Sequence, residues 1–360
     1  MKILYVIESL NAGGKERRFI ELIRVMCNLN EIEIILLSKP IHYTEIFEFD
    51  VKLHYFKRNF FKDYKIFYKF FKIIKNFEPD IVHCWDNIGA IHFGPVCKIL
   101  KIPFINSMIT TAPQKLKFFS KRNLSTIISY PFSDAIVSNS KAGANSFKSP
   151  KNKTFIIHNG FDLSRLEKVK NSNSIKKLYN LNNYKVIGMV ANFTEMKDYK
   201  TFIDASLIIY KKRKDVKFIA IGNGPNFNKM KAYLPPILKN NFMFLGNIKD
   251  VDSLVNCFTI GVLSTYSEGI SNSVMEYMAF KKPVVVTDGG GSSEIVINST
   301  TGYMSKYKDP IDLSEKVLSI LNDDNKIKMM GLESYKRINS HFSISKMVSD
   351  TEKLYTKFIR

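Results

Sequence analysis

The chain has 360 residues, enough for two domains at roughly 150 residues each. Apolar residues make up 45% and charged residues 24%, ordinary proportions that exclude disorder, collagen or coiled coil as a description of the whole. The charge is not ordinary: 54 Lys plus Arg against 33 Asp plus Glu leave +21, which points to an anionic partner such as a phosphorylated ligand, an acidic membrane surface or nucleic acid.

The opening MKILYVIESL is a short apolar run interrupted by Glu8 and followed by Gly13-Gly14. It lacks a small-residue cleavage site and reads as a first buried strand, not a signal peptide. Further Val-, Ile- and Phe-rich runs bounded by turn residues follow at 32–37, 81–83, 104–105, 135–137 and 155–157. A second set lies at 186–190, 218–221, 242–244, 260–263, 284–286 and 302–304. Helical patterns separate them, so each set predicts a doubly wound parallel sheet buried on both faces. Residues 161–184 are polar and strand-free and read as the linker. The expected architecture is α/β: two Rossmann-like domains, 1–165 and 166–343, facing a cleft. A C-terminal helix near 344–360 is expected to return to the first. Cys27, Cys84, Cys97 and Cys257 form no CxxC pair and no Cys/His cluster, so neither a metal site nor a disulfide framework is expected. The default is a reducing cytoplasm.

The strongest local signal is Ser267-Glu268-Gly269-Ile270-Ser271-Asn272-Ser273-Val274-Met275-Glu276, set between two strands. Glu268 falls in a loop, and Glu276 lies two turns into the next helix. Backbone N–H groups from Gly269 to Asn272 at a helix N-terminus make a ready anion site. A carboxylate beside it can accept two hydrogen bonds from a vicinal diol, as a ribose offers. The plainer alternative has Glu268 capping the helix and Glu276 on the solvated surface.

This segment resembles the E-x7-E motif of the family-4 retaining glycosyltransferases, which have the GT-B fold. Other segments match in the same order along essentially the whole chain. Asn11-Ala12-Gly13-Gly14-Lys15-Glu16-Arg17 resembles the family's N-terminal Gly-Gly loop, and Asp80-Ile81-Val82-His83 its strand ending in His. His158-Asn159-Gly160-Phe161-Asp162 resembles the segment preceding the interdomain linker. Residues 190–197 with Asp198 resemble the phosphate-binding strand and loop. Ile221-Gly222-Asn223-Gly224-Pro225 and Phe244-Leu245-Gly246-Asn247, followed by Ile248, resemble the two base-flanking loops.

The resemblance implies roles residue by residue. Glu276 would bind the donor ribose, Glu268 the transferred sugar and Lys197 the diphosphate. Gly269, Ile270, Ser271 and Asn272 would lie near the sugar and phosphates, and Gly222, Asn247 and Ile248 near the base. Gly13 and Gly14 would let the first domain approach the diphosphate. No metal is required, because a Lys and oriented N–H groups can stabilise charge growing on the leaving diphosphate. Two departures stand out. Asn192 occupies the position of the family's Arg five residues before the Lys, so Lys15 or Arg17 is a candidate to contribute. Residues 106–113 also lack the family's His, leaving His83 as the imidazole on that side, either catalytic or bonded to backbone.

Three weaker signals remain. Gly222-Asn223-Gly224 lacks the third glycine of a dinucleotide fingerprint. Asp250-Val251-Asp252 has the spacing of a metal-binding DxD but reads better as a helix cap. Trp85 and Asp86, with Lys15 and Ser107, are candidates for the acceptor side.

Residues 57–77, KRNFFKDYKIFYKFFKIIKNF, place Lys62, Lys65, Lys69 and Lys72 on one helical stripe. Phe60, Phe67, Phe70, Phe71 and Ile74 fall on the other side. Such a helix can lie on an anionic bilayer. Lys115, Lys117, Phe118, Phe119, Lys121 and Arg122 form a second basic-aromatic patch.

The reading that follows is a retaining hexosyltransferase. It would take a nucleotide-diphosphate sugar as substrate, require no cofactor and act on a glycan or lipid-linked acceptor in cell-envelope polysaccharide synthesis. It would sit in the cytoplasm, peripherally bound to the inner face of the membrane. A nucleotide-sugar 2-epimerase on the same fold is the alternative. A basic nucleic-acid-binding protein lacks any supporting motif, so no nucleic-acid partner is expected. A Rossmann dehydrogenase lacks its fingerprint.

Overall fold

The computed structural model describes residues 1–11, 13–39, 41–56, 65–113 and 121–359. The chain divides into two compact units, Met1–Gly160 with Ile344–Arg360, and Phe161–Ser343. The division falls at Gly160/Phe161 and not at 165/166. Phe161 is fully buried in the second unit's core, and its N–H donates to the Phe342 carbonyl at 2.7 Å.

The first unit holds seven parallel strands. They are β1 (Lys2–Ile7), β2 (Glu31–Leu36), β3 (Lys52–Tyr55), β4 (Ile81–Cys84), β5 (Phe104–Ile109), β6 (Ala135–Ser138) and β7 (Thr154–Ile156), in spatial order β3-β2-β1-β4-β5-β6-β7. Alternation along β1 explains the double burial. Ile3, Tyr5 and Ile7 join one core, and Leu4 and Val6 join the other. The first core is closed by the helices Gly14–Met26 and Ile344–Tyr355, and the second by Lys65–Phe77 and Asn87–Leu100.

The second unit holds β8 (Lys185–Val190), β9 (Val216–Ile221), β10 (Phe242–Phe244), β11 (Ile260–Leu263), β12 (Val284–Thr287) and β13 (Gly302–Ser305). Their order is β10-β9-β8-β11-β12-β13. Each sheet reverses direction once, between β1 and β4 and between β8 and β11. In open α/β sheets ligands bind beyond the strand C-termini at such switch points. The segments following these four strands are 8–13, 85–86, 191–198 and 264–271.

The expected strands all form, and residues 161–184 contain none. One strand was not expected. β3 reads KLHY, sits at the sheet edge and is only half buried, so it carries no apolar run. β5 extends four residues past its expected end, through Asn106 and Ser107 to Ile109, with an irregularity in its pairing to β6. The basic-aromatic helix covers Lys65–Phe77 and divides its apolar residues differently from expectation. Ile66, Phe70, Ile74 and Phe77 pack inward, while Phe67, Tyr68 and Phe71 stay exposed beside Lys69 and Lys72. Lys62, Phe60, Lys115, Lys117, Phe118 and Phe119 lie outside the described residues, as do the side chains of Lys65, Lys121 and Arg122.

Candidate active site

In the second unit the segment after β8 is stitched to the segment after β11 by backbone bonds. The Asp198 N–H donates to the Ser264 carbonyl at 3.1 Å, and the Tyr266 N–H to the Met196 carbonyl at 2.9 Å. Lys197 and Thr265 form an antiparallel bridge between them. Asp198 then caps the helix Tyr199–Lys212 by accepting from the Thr201 N–H at 3.1 Å. Between these contacts the Lys197 ammonium pairs with Glu268. Glu268 therefore does not cap the following helix, Asn272–Ala279, whose N-cap position is Ser271. Burial pulls the Lys197 ammonium down to about 8, because desolvation penalises its charged form.

The loop bearing Glu268 is braced from below by the turn after β12. Gly290 has φ +57, and a Cβ there would meet the Glu268 carbonyl oxygen at 2.3 Å. Neither the positive φ nor the contact tolerates a side chain. The Gly291 N–H closes the brace by donating to the Glu268 carbonyl at 2.8 Å. Sequence reasoning missed this pair, although the run Gly289-Gly290-Gly291 after a strand was a visible sign.

Glu276 is 3% exposed, so the surface-charge alternative does not hold. Its charge is met by Arg165, whose Nη2 lies 3.2 Å from Oε1. The same guanidinium makes a fork to Asp252, through Nε at 2.9 Å and Nη2 at 2.6 Å, and lies over the Phe161 ring. Arg165 was also missed, because it stands in a linker-like segment and its partners are distant in sequence. Asp250 N-caps Val251–Val255 as expected, accepting from the Ser253 N–H at 3.1 Å. Asp252 belongs to the Arg165 cluster. Among the described residues, no group of three or more His, Cys, Asp or Glu side chains is placed to hold a metal ion.

The loops after β9 and β10 lie side by side, joined by the Gly222 N–H donating to the Gly246 carbonyl at 2.9 Å. Gly222 has φ +134, and a Cβ would strike the Ala191 carbonyl oxygen at 2.1 Å, so glycine lets this loop lie against the end of β8. Asn192, in the segment after β8, and Asn247, in the loop after β10, are exposed, and Ile248 packs against the core. Gly269, Ile270 and Ser271 are buried at the foot of the Asn272–Ala279 helix.

In the first unit, Gly13 precedes the Gly14–Met26 helix with extended backbone, and a Cβ there would meet only the mobile Glu16 carboxylate. Among the described residues of the unit, no backbone atom stands against a Cβ at this position. Lys15 pairs with Glu16 at 3.3 Å and Arg17 with Glu21 at 3.8 Å. Asp86 is a helix cap, accepting from the Gly89 N–H at 2.6 Å. His83 is 2% exposed and bonds side chains, not backbone: Nδ1 to the Tyr355 hydroxyl and Nε2 to the Ser107 hydroxyl, both at 2.5 Å. Tyr355 bonds Tyr5 in turn at 2.9 Å. Burial pulls the imidazole down to about 3, so it is neutral. With both ring nitrogens engaged, His83 links Tyr355 to Ser107 and fixes the Ser107 hydroxyl.

Two family models match the chain in succession: "Glycosyltransferase Family 4" over residues 12–165 and "Glycosyl transferases group 1" over 170–337. The chain belongs to the family-4 glycosyltransferases. The solved structure of HepE from Anabaena, in complex with UDP and glucose, superposes on this glycosyltransferase with a TM-score of 0.84. It shares 16% identity and covers 99% of this chain and 100% of its own, which gives the GT-B fold. The chain is also similar to the capsular polysaccharide biosynthesis glycosyltransferase CapM of Staphylococcus aureus, 27% identical over 52% of this chain and 51% of CapM. It therefore spans about half the length of that relative. A Campylobacter jejuni α-1,4-N-acetyl-D-galactosaminyltransferase, named for a GalNAc-containing diphospho-undecaprenol acceptor, is 23% identical over 98% of both chains.

Proposed function

We propose that this glycosyltransferase moves a hexose from a nucleoside-diphosphate sugar to a glycan or lipid-linked acceptor, with retention at the anomeric carbon. The reading is carried by the Lys197–Glu268 pair at the β8/β11 switch point, with the buried Glu276 on the helix that follows the Glu268 loop. Lys197 exchanges Glu268 for the donor diphosphate on binding, which leaves the Glu268 carboxylate for hydroxyls of the transferred sugar. Glu276, held by Arg165, accepts hydrogen bonds from the ribose diol. The C1–O bond to the diphosphate breaks as the bond to the acceptor oxygen forms on the same face. The acceptor's proton passes to the leaving phosphate, whose growing charge Lys197 stabilises. The capsular and undecaprenol-linked names of the relatives support a cell-envelope glycan as product.

Incubating the enzyme with labelled UDP-sugars and a diphospho-undecaprenol-linked glycan, then assigning the new linkage by NMR, tests this. An α-linkage from an α-donor is expected. A β-linkage overturns retention, and sugar found covalently on the protein overturns the same-face route.

Peripheral attachment to the inner face of the cytoplasmic membrane belongs to the same proposal. No helix among the described residues is long and apolar enough to cross a membrane. On the Lys65–Phe77 helix, Phe67, Tyr68 and Phe71 are 40%, 69% and 43% exposed, and Lys69 and Lys72 share their open side. Aromatic rings beside lysines suit an anionic headgroup layer. Vesicles with and without phosphatidylglycerol test it: binding should need the anionic lipid, weaken with salt and fall in Lys69→Glu/Lys72→Glu. Equal binding to neutral vesicles would count against it.

A further inference from the structure

A cavity of about 30 Å³ lies at the C-terminal ends of β4 to β7, beneath the Ile344–Tyr355 helix. His83, Trp85, Ser107, Thr110, Asn139 and Met347 are among its lining residues, and none of the lining side chains carries a charge. Two lining residues hold buried polar atoms with no partner among the described residues. Trp85 is 6% exposed and its indole Nε1–H donates to nothing. Asn139 is also 6% exposed: its Nδ2 donates to the Thr110 carbonyl at 3.0 Å, which fixes the amide and leaves Oδ1 without a donor. Buried groups left this way are costly, and they occur where a ligand or water completes them. The site is also organised from behind. Tyr5, Tyr355 and His83 form a hydrogen-bonded chain that ends on Ser107.

We propose that this cavity is a subsite for the hydroxymethyl group of a neutral saccharide acceptor, its hydroxyl bound between Trp85 Nε1 and Asn139 Oδ1. A hydroxyl accepts from the indole and donates to the amide oxygen at once. A carboxylate or phosphate could only accept, and would set its charge against the lone pairs of Asn139. An ammonium could not accept from Trp85, and an apolar group would leave both atoms unpaired. The volume suits one such group, taking the place of a water that the two unpartnered atoms could hold. This rests on the proposed glycosyltransferase activity and on the reading of Trp85 and Ser107 as acceptor-side residues. It assigns a chemistry to that role, namely an uncharged sugar at the bound position.

Trp85 is the chain's single tryptophan, so intrinsic tryptophan emission reports on the site alone. The probes are methyl pyranosides of glucose, galactose, N-acetylglucosamine and N-acetylgalactosamine, with glucuronate and glycerol as controls and no nucleotide present. At least one neutral glycoside is expected to change Trp85 emission saturably. Glucuronate should not, and affinity should fall at least tenfold in Asn139→Ala. Saturation-transfer NMR on wild type and Trp85→Phe, which keeps the ring and removes the donor, supplies a second reading should Asn139→Ala fold poorly. No saturable response to any glycoside, or equal responses to glucuronate or glycerol, would overturn the proposal and leave the cavity holding water only. Nucleotide binding by the second unit is measured separately. Glycoside binding without nucleotide binding defeats the donor reading alone, and the converse defeats this inference alone.

Discussion

At the scale of single residues, the second unit places a buried cation, a paired carboxylate and an Arg-held carboxylate at one sheet switch point. Burial holds the Lys197 ammonium down to about 8. A diphosphate binds its protonated form, so donor affinity should be full below about pH 8 and fall as pH rises through that value. Lys197→Arg keeps its charge and should remove this alkaline limb, as donor titrations from about pH 6.5 to 9.5 would reveal. Lys197→Ala should lower kcat by about 10²- to 10³-fold, the usual loss when a group stabilising transition-state charge is removed. Arg165 answers two carboxylates, Asp252 and the nearly buried Glu276. Arg165→Ala should cost about 3 kcal/mol in urea unfolding, because breaking a buried pair strands its partners. His83 gives the opposite pH signature to Lys197. Its ordinary value of 6.5 falls to about 3 on folding. Between those values the unfolded chain binds more protons, so stability should drop as pH falls below about 6.5. The slope should flatten in His83→Asn, as read from denaturant midpoints across that range.

At the scale of elements, the site depends on turns that support turns. Gly290 lies under the Glu268 carbonyl, so Gly290→Ala forces either the φ +57 turn or the Glu268 loop to move. A lowered melting temperature and a larger loss of donor-induced stabilisation are expected, both visible in one thermal scan series. Glu268 is legible in its strand–loop–helix context, and Lys197 through the resemblance of its strand and loop to the family's phosphate-binding segment. Arg165 and Gly290 are not, since their meaning lies in contacts with Glu276 and Glu268 that no local pattern encodes. The strands divide the same way. Runs buried on both faces, such as 3–7 and 284–286, announce themselves by unbroken apolar character. β3 is an exposed edge, and the far half of β5 buries polar residues that bond other side chains. Asn106 Nδ2, for example, donates to the Ser129 and Ser133 hydroxyls at 3.0 and 3.2 Å.

At the scale of the whole molecule, two doubly wound sheets each put their unusual residues beyond the strand C-termini next to a reversal of strand order. The topology was legible because helix and strand periods alternate twice along the chain, with a polar break between the sets. The domain boundary was not, because it is set by one buried ring, Phe161, and one hydrogen bond to Phe342. The +21 charge fits a phosphorylated donor and an anionic surface, and the proposed membrane contact would fall on the Lys65–Phe77 helix. The most direct measurement is a thermal-shift panel of UDP-, GDP- and ADP-sugars on wild type, Lys197→Ala and Glu276→Ala. A ligand that binds only the folded state must raise its melting temperature. One nucleotide class should stabilise wild type, less so Lys197→Ala, and not Glu276→Ala. Stabilisation of Glu276→Ala equal to that of wild type, or of none of the proteins by any donor, would contradict a nucleotide-sugar site at the β8/β11 switch point.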